Sequence, residues 1–564
     1  MTGTTKRATL PATDVVVVGA GAAGAIAGLR LAEAGLRVVA LEAGPGLGRS
    51  HFEFDELAND VRNQFGAKSN AEIPTWRPGS SVEATQRGRD RYAVPIVNAV
   101  GGTTLHYGGQ HFRFLPWHFK LRSATLARYG ADALPADCTA TDWPISYDEL
   151  EAHYAEVERI IGVSGQAGNL GGRADARGNI LEAPRRDAFP LSPLRRSGWN
   201  DLMADAGRRH GWHPFPGPAA IDSAKCTYCG FCNFHGCRVG AKGSTFENAI
   251  PRAQAAGMTL VTQAQVTEIT VGADGRASGV VYVKDGETFA QPASAVFLSS
   301  HMWENTRLLL LSRSAAFPNG LSNNHGQVGR NAMTQVYCLV DGFFPGMDLA
   351  RFNGTVGQAT CFDELNADNF DHTGLGFVGG ACISAIQEQH PMDSLLSTPP
   401  SVPRWGKKWK DWLAQNARSV GRMHATLETL PYSDSLLDLD PAVCDARGQP
   451  VLRATYRLHE QERRRWDYFL AQMGGLLREA GAVETWSAMP LKPAMPFPSA
   501  YGATRMGGSP ENSVVDAWCL SHEVPNLAIG GGGCFPTSGG YNPTATLQAL
   551  ALRTADRLVE VLGR

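Results

Sequence analysis

The 564-residue chain lacks a strong charge of either sign, because 52 lysines and arginines stand against 54 aspartates and glutamates. With a formal net charge of −2, the chain as a whole offers no basic surface for nucleic acid and no electrostatic anchor for an acidic membrane. It also lacks the run of about eighteen apolar residues that indicates a membrane-spanning helix. Residues 1–14 do not have the charged, apolar and cleavage regions of a secretory signal. We therefore expect a cytoplasmic protein, and co-export with a partner subunit stays open.

Internal repeats and low-complexity segments are also missing, although the chain contains 63 glycines and 33 prolines. A hydrophobic content of 43% in a chain of this length indicates two or more packed cores. The eleven cysteines are better explained as thiols or metal ligands than as a disulfide framework, because disulfides are rare in the cytosol. Seven of these cysteines are scattered singly, and we expect them to be small buried side chains.

The clearest feature that is present is a βαβ unit near the N-terminus. Residues 15–18 are four valines, as expected of a central parallel strand that is buried on both faces. Gly19, Gly21 and Gly24 follow with the spacing GxGxxG, which allows a tight turn, a close approach to a pyrophosphate and close helix packing. Glu42 ends the second strand, where an acidic side chain accepts hydrogen bonds from ribose hydroxyls. The unit predicts a site for FAD or NAD, since both use this fingerprint.

Four further segments distinguish the two cofactors. They are residues 100–109 (VGGTTLHYGG), 226–245 (CTYCGFCNFHGCRVGAKGST), 501–507 (YGATRMG) and 526–558, which contains GGGGCFPTSGGYNPT. Together with the first unit they resemble the glucose–methanol–choline (GMC) family of FAD-dependent oxidoreductases. Within this family the chain is most similar to the branch of gluconate 2-dehydrogenase, sugar dehydrogenases and pyranose oxidase. The resemblance implies FAD rather than NAD.

The resemblance also implies the fold, which is α/β in class and α+β overall. It consists of a Rossmann-like FAD-binding domain and a discontinuous substrate-binding domain built on an antiparallel sheet. The expected FAD-binding domain comprises residues 1–60, 90–125, 220–320 and 495–564, and the substrate-binding domain and loops comprise residues 126–219 and 321–494. In this scheme the final helix starts near Pro543 and points its N-terminus at the pyrimidine edge of the flavin, where the reduced ring carries negative charge.

Further cofactor contacts follow from the same resemblance. Besides the residues of the βαβ unit they are Gly101, Gly102, Thr103, His106, Val266, Asn542, Pro543 and Thr544. His106 stands where a histidine of the pyranose oxidase relatives can be bonded covalently to the flavin. A covalent bond and an ordinary hydrogen-bonded loop histidine are both open for this residue. His111 is a second candidate for facing the same cavity.

Alcohol oxidation in this family needs a base that takes the hydroxyl proton while hydride passes to flavin N5. Asn542 matches the position that holds the substrate oxygen in relatives, and its amide could donate to an alkoxide-like oxygen. The usual histidine is replaced by Ser499, and the further histidine of pyranose oxidases by Thr504. Neither hydroxyl is a competent base without an activating neighbour.

Several other groups could take over the role of the base. The histidine candidates are His106, His111, His235, His301 and His424. Among them His301, in SSHMWENTRLLLL, is expected close to the FAD domain and is the first to test. Tyr501 or a water molecule could act instead, and a substrate that needs no strong base is a further alternative.

Cys226, Cys229, Cys232 and Cys237 have the spacing CxxCxxCxxxxC, which is typical of an iron–sulfur or zinc site. The sugar dehydrogenases of the resembled branch carry a [3Fe–4S] cluster, although with a different spacing. The alternative is a tight, glycine-containing loop with small buried thiols, and both interpretations stay open. A cluster would favour a dehydrogenase over an oxidase.

The sequence therefore predicts the FAD-dependent oxidation of a primary or secondary alcohol on a sugar, polyol, glycoside or sugar acid. The electrons would pass to a quinone, a cytochrome or oxygen, with a dehydrogenase favoured, and a small partner subunit is conceivable. The alternative is a flavoprotein that lacks the base and acts as a non-redox lyase or as a subunit of a larger complex. Trp405, Trp409 and Trp412 recur at helical spacing, which favours core or interface packing over sugar stacking.

Overall fold

The computed structural model describes residues 7–61, 72–86, 96–489, 491 and 499–563. The described residues form 22 strands. In chain order, β1–β22 are Ala8–Thr9, Thr13–Val18, Val38–Leu41, Thr75–Arg77, Thr85–Gln86, Asn169–Leu170, Arg173–Ala174, Phe215–Pro216, Thr259–Val261, Gln265–Val271, Ala277–Lys284, Glu287–Leu298, Met333–Thr334, Val336–Phe343, Thr360–Phe362, Ile383–Ala385, Val420–Leu427, Leu436–Cys444, Pro450–Thr455, Glu484–Ser487, Ala500–Tyr501 and Leu527–Ile529.

Eleven α-helices lie in the same described ranges. In chain order, α1–α11 are Ala22–Glu33, Pro116–Phe119, Leu121–Tyr129, Tyr147–Ile161, Gly198–Arg209, Ala249–Ala255, Met302–Leu311, Pro391–Leu396, Gly406–Asn416, Glu460–Glu479 and Thr544–Val561. Among the helices of these ranges, none is both long and apolar enough to cross a membrane.

The valine run 15–18 lies at the centre of an eight-stranded sheet with the order β10-β11-β12-β2-β3-β9, and β1 and β22 also pair with β12. All four valines are buried, as predicted for a central strand. The long strand β12 pairs antiparallel with β11 along its first half and parallel with β2 along its second half. The carboxyl ends of β2, β3, β12 and β22 therefore meet at one edge of the sheet, where α/β sheets bind their ligands.

The turn after β2 depends on glycine for two separate reasons. Gly19 has φ +91°, and a Cβ there would lie 2.9 Å from the carbonyl oxygen of Ser299. A Cβ on Gly24 would lie 2.0 Å from the carbonyl oxygen of Gly19, so only glycine lets α1 pack this close to the turn. Gly21 precedes the first residue of α1, whose N-terminus opens toward the strand ends.

Both ends of the chain contribute to this part of the molecule. Leu552 and Ala555 of α11 share one buried cluster with Val15, Ile26 and Leu29 of the βαβ unit. The C-terminal strand β22 pairs in parallel with β12 in the same sheet. Both chain ends therefore pack around one sheet, and the domain boundaries given above stay a prediction.

A second, six-stranded sheet has the order β20-β14-β17-β16-β15-β8, and all its neighbouring strands are antiparallel. Its longest pair, β14 with β17, places Leu339 opposite His424 and Tyr337 opposite Thr426. The combination of a mixed sheet, parallel around β2, with a separate antiparallel sheet confirms the predicted fold class. The same pair of strands carries side chains toward the cavity described next.

Candidate active site

A cavity of about 430 Å³ extends from the carboxyl edge of the first sheet to the β14–β17 pair of the second. Its lining combines the first glycine turn, the glycine-rich segment near residue 102 and the start of α11. The predicted site residues on its wall are Gly19, Gly21, Glu42, Gly102, Thr103, His106, Val266, His301, Ser499, Asn542, Pro543 and Thr544. Gly24, Gly101 and Tyr501 do not line it. One cavity thus brings together most of the residues that the sequence singled out.

The nucleotide end of the cavity is formed largely by backbone. The carboxylate of Glu42 is buried and accepts hydrogen bonds from the N–H groups of Ala20 (3.0 Å) and Gly44 (2.8 Å), which fix it beside the turn. The two glycine-rich turns approach each other so closely that a Cβ on Gly102 would lie 3.0 Å from the Cα of Gly21. Side chains at these positions would fill the groove. This glycine cradle, with the N-terminus of α1 and an acidic residue beside it, fits an extended dinucleotide such as FAD.

A polar cluster occupies the other end of the cavity. The phenol oxygen of Tyr337 lies 3.1 Å from the Oγ of Ser499 and is also hydrogen-bonded to the side chain of Asn542. The Tyr337 ring stacks on His424, with ring centroids 5.3 Å apart and planes 23° apart. Burial raises the pKa of Tyr337, so its hydroxyl keeps its proton at neutral pH and can donate it. The cluster joins a hydroxyl donor, an amide and an imidazole at one point.

His424 is buried within β17, and its Nε2 lies 3.3 Å from the Oγ1 of Thr426. Burial, followed by the nearby Arg422 cation, lowers the pKa of His424 to about 4. The imidazole is therefore neutral at physiological pH and has a nitrogen available as a proton acceptor. Among the histidine candidates, His424 contacts the Ser499–Asn542 cluster through Tyr337.

His301, the first candidate for the base, lies on a different wall of the same cavity. His301 precedes α7 directly after β12, with φ +78° and its Nδ1 3.5 Å from the N–H of Trp303. The adjoining Ser299 and Ser300 pack against Gly19. His301 thus lines the cavity from the nucleotide side of the first sheet.

The remaining candidates are distributed around the cavity. His106 lines it, buried, with its ring edge-to-face against Phe234 at 5.8 Å. His111 and His235 are buried but do not line the cavity, and the Nε2 of His111 lies 2.9 Å from the amide oxygen of Gln548. Tyr501 is buried and stacks on Phe535, and burial raises its pKa well above the usual value, which makes it a poor base. Thr504 is also buried and away from the cavity wall.

A charged wall, which the sequence did not reveal, continues from the polar cluster. Its members Glu388, His390, Asp393 and Arg422 all line the cavity. Arg422 forms ion pairs with Asp341 (2.6 Å) and Asp393 (2.7 Å). Because Arg422 is buried between these carboxylates, the three charged groups form a fixed ion network. Glu388 accepts hydrogen bonds from the backbone N–H groups of Cys232 and Asn233 and lies 3.1 Å from the Nε2 of His390. Such a wall suits a ligand with several hydroxyl groups.

The four clustered cysteines belong to a loop that borders the cavity. Cys232 is buried, Cys226 and Cys237 are half-buried, and Cys229 is exposed. The ammonium of the buried Lys242 donates to the carbonyl oxygens of Tyr107 (3.1 Å), Cys232 (2.7 Å) and His235 (2.7 Å), which ties the loop together.

The chemistry of this loop can be compared with the predicted metal site. Within the described part of the chain, no three of these thiols lie close enough together to bind one tetrahedral ion. In the same part of the chain, the only three potential metal ligands that do lie this close together are Asp137, Asp434 and His459. This geometry counts against zinc and agrees with the loop interpretation. The iron–sulfur cluster stays a prediction.

Comparisons with known proteins agree with this architecture. Residues 14–53 match a FAD binding domain, and residues 145–337 and 431–551 match the N- and C-terminal parts of the GMC oxidoreductases. The chain is 32% identical to the gluconate 2-dehydrogenase flavoprotein of Pantoea cypripedii, over 99% of this chain and 95% of the relative. It is 27% identical to the fructose dehydrogenase large subunit of Gluconobacter japonicus, over 97% and 98% of the two chains.

A solved structure of formate oxidase from Aspergillus oryzae superimposes with a TM-score of 0.65 at 14% identity and covers 99% of both chains, which supports the fold. The sheet arrangement and the cavity thus define a FAD-binding oxidoreductase. The chain belongs to the GMC oxidoreductase family, and the predicted family and the FAD cofactor are confirmed.

Proposed function

We propose that the chain oxidises an alcohol group on a sugar, polyol, glycoside or sugar acid. The observation that carries the proposal is the single cavity, which joins the glycine cradle for a dinucleotide to the cluster of Tyr337, His424, Ser499 and Asn542. FAD bound there supplies a hydride acceptor at its N5 atom. The similarity to enzymes named for gluconate and fructose supports a sugar or sugar acid as substrate.

Cofactor binding in this proposal uses both glycine turns and the start of α11. Gly19, Gly21 and Gly102 would leave room for the pyrophosphate, and Glu42 would accept hydrogen bonds from the adenosine ribose. Val266 lines the same end of the cavity. Asn542, Pro543 and Thr544 lie where α11 begins, so the partial positive charge of the helix N-terminus faces the cavity.

Proton transfer is assigned to His424. Its neutral imidazole accepts the hydroxyl proton of the substrate while the carbon gives up hydride, as general base catalysis requires. The Tyr337 hydroxyl and the Asn542 amide donate hydrogen bonds to the oxygen as negative charge develops on it. Ser499, which replaces the usual histidine, contacts Tyr337 and orients it. The base thus comes from β17 rather than from the segment near residue 499.

Anaerobic mixing with a panel of sugars, polyols and sugar acids tests the proposal. We expect the flavin absorbance at about 450 nm to bleach with at least one of these alcohols. An oxidised spectrum that persists with every alcohol would favour the alternative of a non-redox flavoprotein or a subunit of a larger complex.

Three details of the proposal have their own measurements. Flavin that stays with the acid-precipitated protein would support covalent attachment through His106, which lines the cavity beside Thr103. Analysis for iron and acid-labile sulfide tests the cluster predicted at Cys226, Cys229, Cys232 and Cys237. Reoxidation of the reduced enzyme by oxygen and by quinones, measured side by side, separates an oxidase from the dehydrogenase that we favour.

A further inference from the structure

A second surface of functional interest lies on the outside of the molecule, around α9. None of the eleven residues of α9 is fully buried, although Trp409, Trp412 and Leu413 form an apolar face at helical spacing. Trp409 and Trp412 hold the helix on the body, since Trp409 donates to the Oγ1 of Thr398 (3.2 Å) and Trp412 contacts Phe343 at 5.4 Å between ring centroids. Trp405, directly before the helix, is 81% exposed.

Other exposed apolar side chains lie on the segments linked to the one that carries Trp405. Leu395 and Leu396, at the end of α8, are 41% and 67% exposed, and Val483 is 67% exposed. Arg404 donates to the carbonyl oxygen of Leu396 (3.0 Å), which brings Trp405 beside α8. Ser401 is hydrogen-bonded to Glu484, the neighbour of Val483. We call Leu395, Leu396, Trp405 and Val483 the apolar patch. Exposed apolar side chains grouped in this way mark an interaction site.

Positive charge is concentrated beside the apolar patch. Residues 404–411 carry four cations, Arg404, Lys407, Lys408 and Lys410, against one anion, Asp411. All four cationic residues are exposed, and Lys407 pairs with Asp411 at 2.6 Å. This local excess contrasts with the net charge of −2 for the whole chain.

We propose that the apolar patch and the adjoining cations dock the protein on an anionic lipid surface. In this arrangement Trp405 and Leu396 enter the boundary between headgroups and acyl chains, and the cations contact the anionic headgroups. Tryptophan prefers this depth because its ring is apolar and its N–H remains hydrated. A lipid surface is favoured over a protein partner, because lysine is depleted at protein interfaces and enriched on membrane-surface helices. The proposal does not depend on the substrate or on the base assigned above.

Sedimentation of the full-length holoenzyme with vesicles tests this surface. We expect binding to vesicles of phosphatidylcholine mixed with phosphatidylglycerol, little binding to phosphatidylcholine alone, and weaker binding as salt is raised. The variant L396S/W405S and the variant K407Q/K408Q/K410Q should each lose about tenfold or more in partition coefficient. Turnover with a soluble acceptor should stay at the wild-type value in both variants, because none of these residues lines the cavity.

A matched control lies on the β6–β7 hairpin and the loop after it. Leu170 and Leu181 are 37% and 36% exposed, and Arg173 and Arg177 lie near them in the sequence. The variant L170S/R173Q/R177Q/L181S should keep wild-type lipid binding. Quenching of tryptophan fluorescence by brominated lipids gives a second measurement. This quenching should be weaker in W405F, a conservative variant that keeps the folding stability, than in the wild type.

Three results would overturn the proposal. The first is an absence of binding to either kind of vesicle, and the second is equal binding to both. The third is a wild-type dimer in solution that dissociates on L396S/W405S substitution, since the apolar patch would then be covered by a second copy of the chain.

Discussion

The two ends of the cavity are built in different ways. The nucleotide end consists largely of backbone, because its shape depends on residues that have no side chain, such as Gly19, Gly24 and Gly102. The other end, which we propose as the reaction end, consists of side chains, with Tyr337 and His424 on neighbouring strands and Asn542 at the start of the last helix. A substitution at the first end should therefore act on cofactor binding and folding, and one at the second end on chemistry.

The largest effect is expected at Gly24. In G24A the new Cβ would lie 2.0 Å from the carbonyl oxygen of Gly19 and 2.4 Å from the Oγ of Ser299, so α1 would have to move away from the turn. We expect the purified protein to lose its FAD almost completely, measured by the ratio of flavin to protein absorbance. Overpacking of this kind costs about 1–3 kcal/mol or more.

The control for this substitution is G475A, within α10. A Cβ there meets nothing within 4 Å, and replacing a helical glycine by alanine stabilises a protein by about 0.4–1 kcal/mol. Full FAD content in G475A and its loss in G24A would attribute the effect to the close approach at the turn. Equal FAD content in both variants would contradict this account of the glycine cradle.

His424 should produce the next largest effect, and it should spare the cofactor. In H424N the proton acceptor is removed while the size and polarity of the side chain are roughly kept. We expect the rate of flavin reduction to fall by about 10²–10⁴-fold, as for the loss of a general base, with FAD content unchanged. Anaerobic stopped-flow measurement of reduction gives the rate.

The comparison variant is H301N, because His301 lines the nucleotide side of the same cavity. It should reduce its flavin within a few-fold of the wild-type rate. If H301N is inactive and H424N is active, the base lies at the carboxyl end of β12 and the roles assigned here are reversed.

Tyr337 should show a smaller effect. Y337F keeps the ring that stacks on His424 but removes the hydroxyl that contacts Ser499 and Asn542. The variant loses one hydrogen bond, worth about 1–2 kcal/mol, to the substrate oxygen on which negative charge develops. We therefore expect kcat to decrease roughly tenfold and KM to change less. S499A should decrease kcat less than Y337F. A larger loss in S499A would mean that Ser499 contacts the substrate itself.

The contrast between the two ends also explains what could be predicted from the sequence. The first turn is local: strand, glycines, helix and Glu42 lie within 30 consecutive residues, and their spacing follows directly from backbone geometry. The reaction end joins positions 337, 424, 499 and 542, and only the register of β14 against β17 brings the first two together. A single sequence gives no such register, so it neither indicates Tyr337 nor shows which of the histidine candidates lies beside Asn542.

The molecular surface also has a feature that a property averaged over the whole chain does not show. The net charge of −2 correctly describes the whole chain but hides the four cations in residues 404–411. The spacing of Trp405, Trp409 and Trp412 predicted a helix with core or interface packing, and two of these side chains do pack on the body. The exposure of Trp405 depends on where the chain enters α9, which periodicity does not determine.

The smallest effect within the physiological range should come from pH, and it separates the two ends once more. Because burial lowers the pKa of His424 to about 4, below its usual value of about 6.5 in an unfolded chain, the neutral imidazole is the form that the fold favours. Any stability that depends on it is present above the unfolded pKa and is lost as pH falls through the folded pKa. The rate of flavin reduction should therefore be flat between about pH 6 and 8 and fall on the acid side with an apparent pKa near 4. H424N should lack this acid limb while keeping its FAD over the same range, whereas an unchanged limb in H424N would assign the titration to another group.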